Sequence, residues 1–171
     1  MVVNANLYAH FQQHFPAAPG AILLVTALGR RVSYAEADEM SARIASGLLQ
    51  LGAVAGDRVT VQVEKSVENL FLYLACLRAG LVYHPLNPAY TPAELEYFLG
   101  DAEPSIVVCA PDALNAVEPL LADSGAKAVL SLDAAGTGTL MERTSSAAPL
   151  ADVAQCDGSD MAALLYSSGT T

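Results

Sequence analysis

The chain has 171 residues, 53% of them hydrophobic and only 15% charged, with a formal net charge of −10. That length supports one domain with a substantial core, while the apolar excess over an ordinary soluble domain implies surface meant to be covered by further strands and helices. Eight basic residues against 18 acidic ones, with no basic run, exclude a nucleic-acid footprint.

The first predicted element covers residues 6–15, where Leu7, Phe11 and Phe15 recur at helical spacing. Pro16 and Pro19 end it. Residues 21–26 and 31–34 are apolar or β-branched runs around Gly29, the signature of a hairpin. Ser33 followed by Glu36 reads as a capping box that opens a helix, with Ala37, Met40, Ile44, Leu48 and Leu51 as its buried stripe. Gly52 is its left-handed terminator.

Residues 58–63 form a Val/Thr-rich strand, and Glu64-Lys65-Ser66 lead into a helix over about 67–79. The middle of that helix is apolar on all sides, so it is buried from more than one direction. Arg78 near its end is read as a complement to the helix dipole. Gly80 closes it, and residues 81–86, which include Tyr83, His84 and Pro85, are the next strand.

Thr91-Pro92-Ala93-Glu94 is a clear helix start: cap, Pro in the first turn, Glu three residues after the cap. That helix reaches about Asp101. Residues 105–110 are a strand, Asp112 is expected to cap the next helix, residues 128–132 are a strand, and 139–144 add a helical turn. Residues 145–160 read as a surface connection, and 161–166 as a last, buried strand. Strands alternating with helices predict an α/β fold with a largely parallel, doubly wound sheet and helices on both faces.

Chemistry is concentrated at the end. Ser167, Ser168, Gly169, Thr170 and Thr171 are small, four of them bear hydroxyls, and they follow an apolar strand. Successive backbone N–H groups around Gly169 suit phosphate oxygens, and a hydroxyl, offered as Thr170, suits a bound Mg²⁺. The Walker A pattern Gly-x-x-x-x-Gly-Lys-Ser/Thr and the dinucleotide pattern Gly-x-Gly-x-x-Gly are both absent, and an ordinary polar turn stays open as the bland alternative.

Elsewhere the residues read structurally. His10 and His14 are one helical turn apart, with no third metal ligand in view. Cys76, Cys109 and Cys156 lack CxxC spacing; this odd set, with no secretory leader or membrane-length apolar run, points to a reducing cytoplasm. Cys76 and Cys109 are expected in the core, and Ser66 as a helix cap.

Several segments, in order, resemble the N-terminal region of the adenylate-forming enzymes, which include acyl-CoA synthetases, luciferases and peptide-synthetase adenylation domains. They are Val32-Ser-Tyr34-Ala-Glu36, Gly52-Ala-Val-Ala-Gly56-Asp57-Arg58-Val59, Ala79-Gly80-Leu-Val-Tyr83-His-Pro85-Leu-Asn87-Pro88, Glu94-Leu-Glu-Tyr-Phe-Leu-Gly-Asp101 and the closing Tyr166-Ser-Ser-Gly-Thr-Thr171. Within that family, Val61-Gln-Val-Glu-Lys-Ser66, Leu72–Gly80, Asn87-Pro-Ala-Tyr-Thr91, Tyr97–Pro104 and Leu132–Gly138 resemble the malonyl-CoA synthetases. The resemblance spans about residues 30–171 and rests mostly on scaffold segments.

It implies ATP-dependent ligation of a carboxylate, malonate or a similar acid, to coenzyme A through an acyl-adenylate, with Mg²⁺. It makes Ser167, Ser168, Gly169, Thr170 and Thr171 the nucleotide contacts. Ser167 stands where the family usually has Thr, and His84 where it usually has an apolar residue. The family's later segments, including its Mg²⁺-binding Glu and catalytic Lys, are expected beyond Thr171. Residues 1–171 are therefore expected to be an incomplete N-terminal adenylation domain that ends inside the phosphate loop, lacks the C-terminal domain and is inactive alone. Another acyl-CoA synthetase, a carrier-loading adenylation domain, or a scaffolding module remain as alternatives.

Overall fold

The structure, a computed structural model, describes residues 4–18, 20–122 and 124–166. Helix α1 (Leu7–Gln12) is capped by Asn6, whose side chain accepts the Tyr8 N–H. Strands β1 (Ile22–Val25) and β2 (Arg31–Ser33) form an antiparallel hairpin. Helix α2 (Tyr34–Gln50) follows, and Ser33 caps it by accepting the Glu36 N–H. Only half of the expected capping box forms here, because the Glu36 carboxylate turns to Arg30 at 3.1 Å. Of the predicted stripe, Ala37, Ile44 and Leu48 are buried, while Met40 and Leu51 are half-buried.

The main sheet holds β3 (Arg58–Gln62), β4 (Val82–Pro85), β5 (Ile106–Cys109) and β6 (Ala128–Ser131), all parallel, in the order β4-β3-β5-β6. Helix α3 (Val67–Arg78) joins β3 to β4, and α4 (Pro92–Ala102) joins β4 to β5. The full capping box at Thr91 and Glu94 is present. Gly52 and Gly80 take the left-handed conformation after α2 and α3 (φ +98° and +68°).

Because α3 leads outward from β3 and α4 leads back across it, the two helices lie on opposite faces. Val59, Val61, Ile106 and Val108 pack with α2 and α3, and Val107 and Cys109 pack with Leu95 and Leu99 of α4. Period-two alternation along the strands thus feeds two cores, and the doubly wound expectation holds.

Three expectations need correction. Asp112 caps nothing: Pro111 starts a 3₁₀ turn one residue earlier, and α5 (Leu114–Val117) has no side-chain cap. That helix is only four residues long, since Pro119, lacking an N–H, closes it into a second 3₁₀ turn. Arg78 lies in the last turn of α3, as expected, but does more than complement the helix dipole. It is buried, ion-paired with Asp38, and stacked 4.4 Å from the centre of the Tyr8 ring. Residues 145–160, which follow α6 (Thr139–Thr144), are more than a surface connection. Leu150 and Val153 pack on the core, and Asn4 and Asn6 donate to the Ala154 carbonyl.

Candidate functional site

The five residues predicted to contact nucleotide, Ser167, Ser168, Gly169, Thr170 and Thr171, lie outside the described residues, as does the Mg²⁺ contact expected of Thr170. The structure instead shows the root from which they spring. The segment 161–166 was expected to be a buried strand; it makes a single parallel bridge, Tyr83 with Ala163, on the outer edge of β4. Tyr83 N–H donates to the Ala162 carbonyl (3.1 Å), and Leu164 N–H to the Tyr83 carbonyl (3.0 Å). At a sheet edge one side of the segment faces water, so Met161 and Leu165 are exposed, by 58% and 71%. Parallel pairing carries the chain toward the carboxyl ends of the strands, the usual ligand side of an open α/β sheet.

At that end Tyr166 meets two elements. Its hydroxyl donates a short hydrogen bond to the Asp101 carboxylate in the last turn of α4. Its ring lies 4.7 Å from Phe98 and 5.3 Å from His84, centre to centre. Phe98 in turn stacks on Tyr90 at 4.9 Å. Desolvation first, and then the Asp101 carboxylate, push the Tyr166 phenol up to about 12, so it stays a donor at neutral pH.

His84 is fully buried. It sits opposite Thr60 in the β3–β4 register, and its Nδ1 is 2.7 Å from Thr60 Oγ1. Nε2 has no partner among the described residues. Burial lowers its pKa to about 4 against a small opposing pull from Asp101, so the ring is neutral. The sheet thus holds a neutral imidazole that packs like an apolar residue and spends one nitrogen on a strand hydroxyl.

A second feature of the carboxyl edge is a cleft of about 390 Å³ lined by Gln62, Glu64, Tyr90 and Asp112, among others. It lies where the connections from β3 and β5 part toward opposite faces, the switch point of the sheet. Gln62, one of its lining residues, donates to the Asn87 carbonyl at 3.1 Å. Tyr90 reaches both places, since it lines the cleft and stacks on Phe98.

The remaining candidates are structural. Ser66 caps α3 by accepting the Asn69 N–H at 3.1 Å, and Glu64 and Lys65 are exposed. His10 and His14 are exposed, and no cluster of three metal-ligating side chains occurs among the described residues. Cys76 and Cys109 are buried thiols; burial pushes Cys76 far up and Cys109 to about 11. No helix among the described residues is long and apolar enough to cross a membrane.

What the sequence did not single out is the Tyr166–Asp101 bond. The two residues are 65 positions apart, one at the end of a predicted helix and the other at the end of a predicted strand. The convergence of those segments was the missed signal: His84, Phe98 and Asp101 gather around Tyr166.

Comparison with known proteins agrees with this architecture. The family model described as AMP-binding enzyme matches residues 11–171. The apo structure of MatB from Rhodopseudomonas palustris superposes with a TM-score of 0.93 at 43% identity, covering 99% of this chain and 33% of that one. The ATP-bound structure of the same protein gives 0.93 at 44%. The 4-coumarate–CoA ligase 5 of Oryza sativa subsp. japonica is 33% identical over 159 residues, 88% of this chain and 28% of that protein. The long-chain-fatty-acid–CoA ligase FadD13 of Mycobacterium tuberculosis is 29% identical over 141 residues, 82% and 28% respectively. The chain thus spans a third or less of the length of these relatives.

Proposed function

The chain belongs to the family of AMP-binding enzymes, and from that premise we propose that it is the N-terminal portion of an ATP-dependent carboxylate–CoA ligase whose acid is malonate. In the first half-reaction the carboxylate attacks the α-phosphorus of ATP, forming an acyl-adenylate and releasing pyrophosphate. In the second, the thiol of coenzyme A attacks the acyl carbon, forming the thioester and releasing AMP.

Ser167, Ser168, Gly169, Thr170 and Thr171 are proposed to hold the β- and γ-phosphates as pyrophosphate departs, by positioning and by hydrogen bonds to the developing charge. Thr170 is the proposed contact to Mg²⁺, whose other ligands are expected beyond Thr171. The described residues contribute the platform: a parallel sheet whose carboxyl edge receives the loop, and the aromatic packing around Tyr166.

One observation carries the malonate assignment. The segments that resemble malonyl-CoA synthetases, from Val61-Gln-Val-Glu-Lys-Ser66 to Leu132–Gly138, lie in a chain 43% identical to MatB over 99% of its length.

The test uses the full-length parent with ATP, Mg²⁺ and coenzyme A. AMP, pyrophosphate and acyl-CoA are measured with malonate and, in parallel, with long-chain, aromatic and amino acids. Malonyl-CoA as the dominant product is expected. Product with a long-chain or aromatic acid and none with malonate would remove the malonate assignment and leave the ligase. Acid-dependent pyrophosphate release with no acyl-CoA would point to carrier loading instead.

A further inference from the structure

The last backbone hydrogen bond that ties the 161–166 segment to the sheet is made by the Leu164 N–H. Leu165 then points its side chain largely into water. The next residue, Tyr166, is the last described one, and it directly precedes the five residues read as the phosphate loop. Its side chain is thus the described anchor nearest that loop.

Two elements built from distant parts of the sequence meet on that side chain. The rim of α4 provides Asp101, which accepts from the hydroxyl, and Phe98, which packs on the ring. Strand β4 provides His84, itself held by Thr60 of β3. Helix α4 is in turn oriented by its capping box at Thr91. A hydrogen bond from a phenol to a carboxylate is charge-assisted and directional. The ring contacts alone would allow the tyrosine to rock about its own axis, whereas the bond to Asp101 adds a fixed point at the far end.

We infer that Tyr166, through its bond to Asp101, is a positioning residue that sets the entry of the phosphate loop and so the grip on the outer phosphates of ATP. The inference rests on the loop being the phosphate site. Because the outer phosphates are what that loop is proposed to hold, the bond should matter for ATP and not for AMP. A role confined to fold stability would weaken both nucleotides alike.

The experiment uses the full-length parent with Mg²⁺ and two fluorescent probes, N-methylanthraniloyl-ATP and N-methylanthraniloyl-AMP. Tyr166→Phe keeps the ring and removes the hydroxyl. Asp101→Ala removes the acceptor, and Asp101→Asn restores a neutral one. Tyr166→Phe and Asp101→Ala should each weaken the ATP probe about tenfold and the AMP probe less than about twofold, the scale expected for one hydrogen bond to a charged group. The double variant should be no weaker than either single one, since both remove the same bond, and Asp101→Asn should recover part of the loss.

Equal weakening of both probes would overturn the inference in favour of a purely structural role. Thr170→Ala separates the remaining outcomes. If it weakens the ATP probe while Tyr166→Phe and Asp101→Ala leave it unchanged, the positioning role is wrong and the phosphate loop stands. If none of the three variants affects the ATP probe, the loop assignment itself fails and the inference falls with it.

Discussion

Replacing His84 with Leu should remove a definite part of the acid sensitivity of this fold. The imidazole is fully buried, and its pKa falls from 6.5 to about 4 on folding. The unfolded chain therefore binds the proton more readily than the folded one between those values. The stabilising contribution of the neutral ring is complete above about pH 6.5 and is lost as pH falls toward about 4. At about pH 5 the unfolded histidine is mostly protonated and the folded one mostly neutral, so the linkage costs the native state about 2 kcal/mol relative to pH 7.5. With a urea slope of about 2 kcal/mol per molar, that loss lowers the unfolding midpoint by about 1 M. Asp101 acts on this ring in the opposite sense, and Thr60 and Tyr166 are its other polar neighbours.

Carboxylates confuse the comparison little at that pH. Hydrogen bonds from Thr91 and Thr137 hold Glu94 and Asp133 below their usual range, so their contributions are lost only below about pH 4. The assay is urea unfolding of wild type and His84→Leu, followed by circular dichroism at about pH 7.5 and about pH 5. The variant pays a pH-independent cost of about 1 kcal/mol or more for leaving the Thr60 hydroxyl unpartnered, but its midpoint should move less between the two pH values. An equal shift for both proteins would refute the account of His84 as a neutral core residue.

Two further predictions concern how the helices are held. At Gly47 in α2 an added Cβ would lie 2.5 Å from Thr144 Cγ2 and 2.9 Å from the Thr144 Cα. Gly47→Ala gains about 1 kcal/mol of helix propensity but forces backbone of α6 to move, at a cost of about 1–3 kcal/mol. The expected net result is a lower melting temperature, where propensity alone predicts a higher one. The Arg78–Asp38 pair is asymmetric, since the Arg78 side chain is 4% exposed and that of Asp38 is 40% exposed. Asp38→Ala strands a buried guanidinium and should cost about 3–5 kcal/mol, whereas Arg78→Met leaves a carboxylate that water can reach and should cost less. Urea unfolding of the two variants side by side checks the order.

Local signals in this chain were read well wherever the physics that causes them is local. The Thr91–Glu94 capping box, the left-handed Gly52 and Gly80, the all-round apolar face of α3 and the Val/Thr-rich run of β3 each depend on residues within a few positions of one another. A backbone hydrogen bond or a φ preference there needs no distant partner. The order of these elements was enough to anticipate a doubly wound parallel sheet, and the resemblance carried by the ordered motifs was enough to reach the family.

Features that required two remote segments to meet were misread or missed. Arg78 was read only as a complement to the helix dipole because nothing within a turn of it hints at Asp38, which stands in α2, 40 residues away. The segment 161–166 was taken for a buried strand because apolar content does not reveal whether a strand lies inside a sheet or at its edge. The Tyr166–Asp101 bond, the neutral state of His84 and the cleft between β3 and β5 arise from topology: a chain that reverses direction across the sheet. Burial, and with it the strength of every charge and hydrogen bond at the carboxyl edge, exists only after those segments have packed, which is why composition and spacing could propose a phosphate loop but could not show Tyr166 meeting Asp101, Phe98 and His84.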